Sequence, residues 1–173
     1  MLSAVVIACD AAQPHPATPE AVVASLAALV PAVIAGLVGE ASLVVMTGDA
    51  AMRDIADHAG CRLVEAVAAA DVLAAGLAAA RGPRLLVLRA GCIPGRGFVE
   101  ELADFLRSGA EESALLRQTP MRGLARLLPW RAAIAGVIGT QSRLRAANRQ
   151  SLQDLGRKLR PSRVFLCREL RVG

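Results

Sequence analysis

Four times within its first 106 residues the chain alternates a short run of β-favouring apolar residues with a longer segment of helical periodicity. Residues 2–9 are continuously apolar with Val5, Val6 and Ile7 at their centre, the pattern of a strand buried on both faces. Thr18-Pro19-Glu20 then supplies an N-cap with proline at the first helical position. The helix it opens runs toward Val30 or Gly36, and Pro31 is expected to kink or end it. Residues 42–46 form a second strand, and Thr47-Gly48-Asp49 turns into a helix through Met52, Ile55 and Ala59 that Gly60 closes. A third strand at residues 61–64 precedes a helix over 67–80 with Val72, Leu73 and Leu77 inward, and the fourth strand is residues 85–88. Phe98, Leu102, Phe105 and Leu106 recur on an amphipathic helix ending near Gly109.

Strands alternating with helices cannot pair as hairpins, so they line up parallel through right-handed crossovers. The reading is an α/β fold in three layers, α/β/α, around a mostly parallel doubly wound sheet. Past residue 110 the pattern is weaker. Residues 123–139 read as an apolar helix, 144–159 as a basic helix, and 164–167 as one more strand. No linker interrupts the chain, so residues 1–173 are taken as one domain, with an alternating α/β half at 1–109 and a basic part at 110–173.

With 54% hydrophobic and 2% aromatic residues, the core must be built from Ala, Val, Leu and Ile. Few rings are available for stacking bases, which argues against a nucleic-acid partner. Charge is divided unevenly. Residues 1–116 carry 7 Arg against 13 acids, whereas residues 117–173 carry 12 Arg and Lys158 against 2 acids. The basic third fits an anionic membrane surface, an acidic partner or a phosphate; equally, it fits a solvated Arg-rich face. Four distant cysteines form neither a zinc pattern nor a disulfide framework, which suits a reducing cytoplasm. Met1-Leu2-Ser3 lacks the basic start of a signal peptide. Residues 21–39 hold no charge, but their alanines, Pro31 and unanchored ends suit a buried helix better than a membrane span. Cytoplasmic placement follows, peripheral to the inner membrane face if the basic third meets lipid.

The stretch Leu85-Leu86-Val87-Leu88-Arg89-Ala90-Gly91-Cys92-Ile93-Pro94-Gly95 reads as a buried strand opening onto a turn. Chemistry in parallel sheets belongs at such carboxyl ends, yet no acid stands there. The glycines from Gly91 to Gly97 lack the Lys-Ser/Thr of a phosphate loop. As a nucleophile, Cys92 needs a nearby histidine, and the positions of His15 and His58 in the sequence do not say whether either reaches it. His58 falls near a helix C-terminus, where the dipole favours a protonated ring.

Taken in order, residues 1–106 resemble family 2 glycosyltransferases of the nucleotide-diphospho-sugar type, which have the GT-A fold. The resemblance is carried by Ala4-Val5-Val6-Ile7, Ser25-Leu26-Ala27-Ala28-Leu29-Val30, Leu43-Val44-Val45, the segment from Asp54 to Val64, Ala79-Ala80-Arg81-Gly82, and Leu85 to Gly91. It implies a UDP- or GDP-linked sugar donor, whose diphosphate family members neutralise with Mg²⁺ or Mn²⁺ held by carboxylates after the fourth strand. This chain offers Gly91 and Cys92 at that place, so the resemblance is to a member degenerate in its metal-binding and catalytic motifs. Arg89, Arg96 or the C-terminal arginines would then have to neutralise the diphosphate. The resemblance implies that Asp10 contacts the nucleotide and that Asp49, displaced by a residue or more from the family's leading acid, accepts a hydrogen bond from base or ribose; the alternatives are a turn residue and a helix N-cap. Gln150 to Leu159 resembles the flank of the family's general base, and only Asp154 can serve there, unless it is an ion-pair partner. The resemblance thus implies a glycosyltransferase-like protein that binds a nucleotide sugar, with metal-dependent transfer in doubt. The alternative is a non-catalytic GT-A-fold module docking through its Arg-rich third.

Overall fold

Every residue of β1 (Leu2–Ile7) is buried, and its side chains alternate between two separate cores. In the computed structural model, which describes residues 1–109, 112–119, 132–147, 150–159 and 161–170, β1 is an interior strand of one continuous sheet. The elements that follow are α1 (Pro19–Ile34), β2 (Val38–Met46), α2 (Ala50–Ala59), β3 (Arg62–Ala66), α3 (Ala69–Ala79), β4 (Arg84–Arg89), β5 (Cys92–Pro94) and α4 (Phe98–Ser108). Then come β6 (Ala114–Gln118), β7 (Ile134–Thr140), α5 (Gln141–Ala147), α6 (Leu152–Lys158) and β8 (Arg163–Glu169). The strand order is β3-β2-β1-β4-β7-β6-β8-β5.

The first four strands are parallel, as their alternation with helices predicts. Beyond β4 the sheet is mixed: β7 runs antiparallel to both β4 and β6, β8 pairs parallel with β6, and β5 pairs antiparallel with β8. Short apolar runs do not distinguish strand from buried helix by periodicity. The described part of residues 123–139 therefore resolves differently from expectation: Ile134–Thr140 is the strand β7, and residues 123–131 lie outside the described residues. The single basic helix expected over 144–159 is two helices, α5 and α6, with residues 148–149 outside the description. Residues 164–167 fall in β8 as expected.

Helices cover both faces. Val22, Leu29, Met52, Leu102 and Phe105 of α1, α2 and α4 pack on one side with Val6 and Leu88. Val72, Leu73, Leu77, Leu144 and Leu155 of α3, α5 and α6 pack on the other with Val5 and Val87. Gly76 lets α3 lie close against the sheet, because a Cβ there would fall 2.7 Å from Val5 Cγ1. Two of the three phenylalanines meet the third: Phe98 and Phe105 each sit edge-on to Phe165 of β8, with centroids 5.5 and 5.9 Å away. Pro31 does not stop α1, which continues to Ile34 and closes at Ala35 and Gly36. Among the described residues no helix is long and apolar enough to cross a membrane.

Candidate functional site

In a doubly wound sheet the crevice opens where successive crossovers leave in opposite directions, which here is between β1 and β4. Asp10 and Arg89 occupy this place. Asp10 follows β1 and is fully buried. Its Oδ1 accepts the backbone N–H groups of Ala12 and Gln13, each at 2.9 Å. Its Oδ2 accepts Arg89 Nη2 at 3.3 Å and the N–H of Leu152 at 2.9 Å. Arg89 ends β4 with only 9% of its side chain exposed. The pair thus joins two strand ends, and the Leu152 bond ties the start of α6 to them. The Ala11 N–H adds a second tie by donating to the Gln150 carbonyl at 3.1 Å. Cys9, beside Asp10, has its thiol pushed up by burial and then by the Asp10 charge, so it stays protonated at neutral pH.

The turn after β4 is bolted to α1. Gly91 adopts φ +86°, a conformation that only glycine takes without strain. Its N–H points at both the Ala21 carbonyl, 3.0 Å away, and Ser25 Oγ at 2.9 Å. Ser25 in turn donates to the Cys92 carbonyl at 3.1 Å. This hydroxyl is buried, so Ser25→Ala removes its two bonds to the turn and leaves the Cys92 carbonyl without the Ser25 donor, while the Ala21 carbonyl still holds the Gly91 N–H. We expect a loss of about 1–3 kcal/mol, read as a lowered urea midpoint; an unchanged midpoint would contradict this role for Ser25.

The remaining sequence candidates fall in different places. Asp49 caps α2, its carboxylate accepting the Met52 N–H at 3.2 Å. It also borders a cavity of about 310 Å³ at the ends of β1 and β2, with Ala8, Pro16, Met46, Thr47 and Gly48. Asp154 lies in the first turn of α6 in a capping arrangement: Ser151 Oγ accepts its N–H at 3.1 Å and donates to its carboxylate at 2.8 Å. That carboxylate is 57% exposed and 3.7 Å from Arg157. Cys92 is buried among the side chains of the α1–α2–α4 face, and Gln118 Nε2 approaches its sulfur at 3.9 Å. Arg96 lies beyond β5 in a separate cavity of about 550 Å³ shared with Pro31, Phe98 and Arg168. Asp10, Arg89, Gly91 and the α6 turn bearing Asp154 are therefore gathered at one edge, with Asp49 on its β2 side and Arg96 apart.

Sequence reading missed Ser25 and the Leu152 N–H. Ser25 left a trace, as the one hydroxyl in the otherwise apolar inward stripe Val22, Leu29, Ala32. A backbone donor leaves none. Several arginines of the basic third hold carbonyls. Arg145 donates to Leu77 and Ala78 at the end of α3, Arg117 to Ala132, and Arg163 to Glu101.

This architecture is the GT-A fold of nucleotide-sugar transferases. The chain is similar over its whole length to glucosyl-3-phosphoglycerate synthase from Mycobacterium tuberculosis, solved with Mn²⁺, UDP and glucosyl-3-phosphoglycerate. There the TM-score is 0.68 at 16% identity, and 73% of that chain is covered. A 4-diphosphocytidyl-2C-methyl-D-erythritol synthase from Anaerococcus prevotii matches 98% of this chain and 89% of its own, with TM-score 0.61 and 13% identity. S. aureus TarS, residues 1–349, matches 96% of this chain and 58% of its own, with TM-score 0.60 and 12% identity. No family model and no curated protein sequence matches the chain.

Proposed function

We propose that the chain binds a nucleotide sugar across the carboxyl edge of β1, β2 and β4, and that it does so without a divalent cation. The observation that carries this reading is the Asp10–Arg89 pair. A hard cation needs carboxylate oxygens with free lone pairs. After β4 the chain offers Arg89, Ala90, Gly91 and Cys92, and the one buried carboxylate nearby already accepts four N–H donors. The buried guanidinium adds a positive charge at the end of β4, and a like charge repels a cation there. In this reading the residues at the end of β4 do not fit Mg²⁺ or Mn²⁺, which take hard oxygen ligands.

Base and ribose fit the cavity beside Asp49, whose size suits a nucleoside rather than a whole donor. Arg89 is neutralised by Asp10, so the diphosphate gains little charge compensation from it. Binding is therefore driven by the nucleoside end, with the sugar toward Gly91 and the α6 turn. In this reading Asp154 is the general base toward an acceptor hydroxyl, exchanging its contacts with Ser151 and Arg157 to do so. Glucosyl-3-phosphoglycerate synthase, solved with Mn²⁺ and UDP-glucose, supports the donor class and marks the contrast in metal.

Calorimetric titration with UDP, UDP-glucose and a GDP-sugar, in Mn²⁺ and again in EDTA, is the test. Dissociation constants within about twofold between the two buffers are the expected outcome. A gain of tenfold or more with Mn²⁺ would overturn metal independence; silence of all three ligands up to millimolar concentration would overturn nucleotide binding itself.

A further inference from the structure

The edge of the sheet formed by β8 and β5 brings together two arginines that are far apart in the chain. Arg96 follows β5, and Arg168 lies in β8 opposite Ile93 of β5. Both line the cavity of about 550 Å³ whose apolar lining includes Pro31 of α1 and Val99 of α4. Arg89, Arg117, Arg145 and Arg163 give their donors to a carboxylate or to carbonyls. Arg96 and Arg168 differ: among the described residues neither makes a hydrogen bond or an ion pair. Glu100 is the one acid in the cavity lining among the described residues. Two like charges gathered in one concavity repel each other, and its apolar walls concentrate their field. The first turn of α4 borders the same space with no side chain capping it, so its N–H groups add to the donors that the arginines supply.

We infer that this cavity binds a small phosphomonoester, its phosphate between Arg96 and Arg168 and its organic body against Pro31 and Val99. The planar donor fork of each guanidinium matches phosphate oxygens. A monoester carries close to two negative charges at neutral pH, which balances the two arginines. A carboxylate would leave one cation uncompensated, and a di- or triphosphate would bring further charge against Glu100. The size suits a small organic ligand. This place is separate from the crevice at β1 and β4. There the Ala21 carbonyl of α1 holds the Gly91 N–H, whereas Pro31 lies about 15 Å further along the same helix. The inference therefore stands independently of the nucleotide-sugar reading. A lipid headgroup offers the same phosphate chemistry, but an anionic bilayer would meet the exposed Glu100 and Glu101 at the start of α4. A free molecule meets no such opposition.

Calorimetric titration of the full chain with phenyl phosphate and with inorganic phosphate tests this. Phenyl phosphate is expected to bind with Kd below about 1 mM, and at least about threefold tighter than inorganic phosphate, since it alone meets the apolar lining. Arg96→Ala and Arg168→Ala each remove an exposed side chain, so circular dichroism and melting temperature stay those of the wild type. Each is expected to weaken phenyl phosphate by about tenfold or more. Lys at either position keeps the charge without the fork, and its affinity should fall between Ala and wild type. The inference is overturned if phenyl phosphate does not bind up to about 10 mM, or if both Ala variants bind it like the wild type. It is equally overturned if phosphatidic-acid vesicles retain the chain while the free phosphomonoester does not bind. UDP titration of both Ala variants is expected to match the wild type; a parallel loss of UDP binding would make the two arginines part of the donor site and overturn a separate one.

Discussion

Asp10→Ala is expected to lower stability by about 3–5 kcal/mol, because it strands a buried guanidinium as well as removing a carboxylate. Asp10 is fully buried and accepts from Arg89, Ala12, Gln13 and Leu152, so truncation leaves four donors facing a small void. Unpaired buried donors keep their full desolvation cost, which exceeds the net worth of the bonds themselves. Asp10→Asn, which keeps an oxygen for part of the set, should fall between Ala and wild type. The double variant Asp10→Ala/Arg89→Met should recover part of the loss, since the stranded charge goes with its partner. Urea denaturation of the four proteins measures the cycle. In a domain of this length the single Ala change corresponds to a melting point lower by about 10 °C. A loss under ~1 kcal/mol, the range of an exposed pair, would mean that the carboxylate is not the joint we describe.

Phe105→Ala carries the second large effect, about 3–5 kcal/mol for a fully buried ring. The chain has only three phenylalanines. Phe105 meets Phe165 edge-on at 5.9 Å and lies under the Arg84 guanidinium, whose carbon is 5.2 Å from the ring centroid. Arg84 Nε and Nη2 are buried with no hydrogen-bond partner among the described residues. Desolvation already lowers the Arg84 pKa from its ordinary value. Removing the ring takes away the face against which that cation rests, so the loss should exceed that of Phe98→Ala, whose ring pairs edge-on with Phe165 and has no cation over it among the described residues. Comparing the two urea midpoints checks this; equal losses would remove the contribution assigned to Arg84.

Both predictions turn on groups whose residue types the chain displays and whose partners it conceals. Parallel strands β1 to β4 were legible because each is a short apolar run separated from the next by a helix with readable caps: Thr18 at α1, Asp49 at α2, Gly60 at the end of α2. Strands β6 and β7 were not, since Ala114–Gln118 is too short to declare a period and Ile134–Thr140 is apolar on both faces. The candidate site was half legible. Asp10, Asp49, Arg89 and Gly91 were marked by their places at strand ends. Their roles depended on which backbone groups arrive beside them.

What the sequence by itself determined is local: periodicity sets strand or helix, and side-chain volume sets a core of small aliphatics. Only the tertiary structure decided that Arg89 spends its charge on Asp10, that Arg96 lies in another cavity, and that α6 is tied to the end of β1 through Leu152, 142 residues away. Spacing along the chain records helix faces and turn positions, a matter of a few residues. An ion pair across a crevice depends on the order of strands in the sheet, and no local pattern encodes that order.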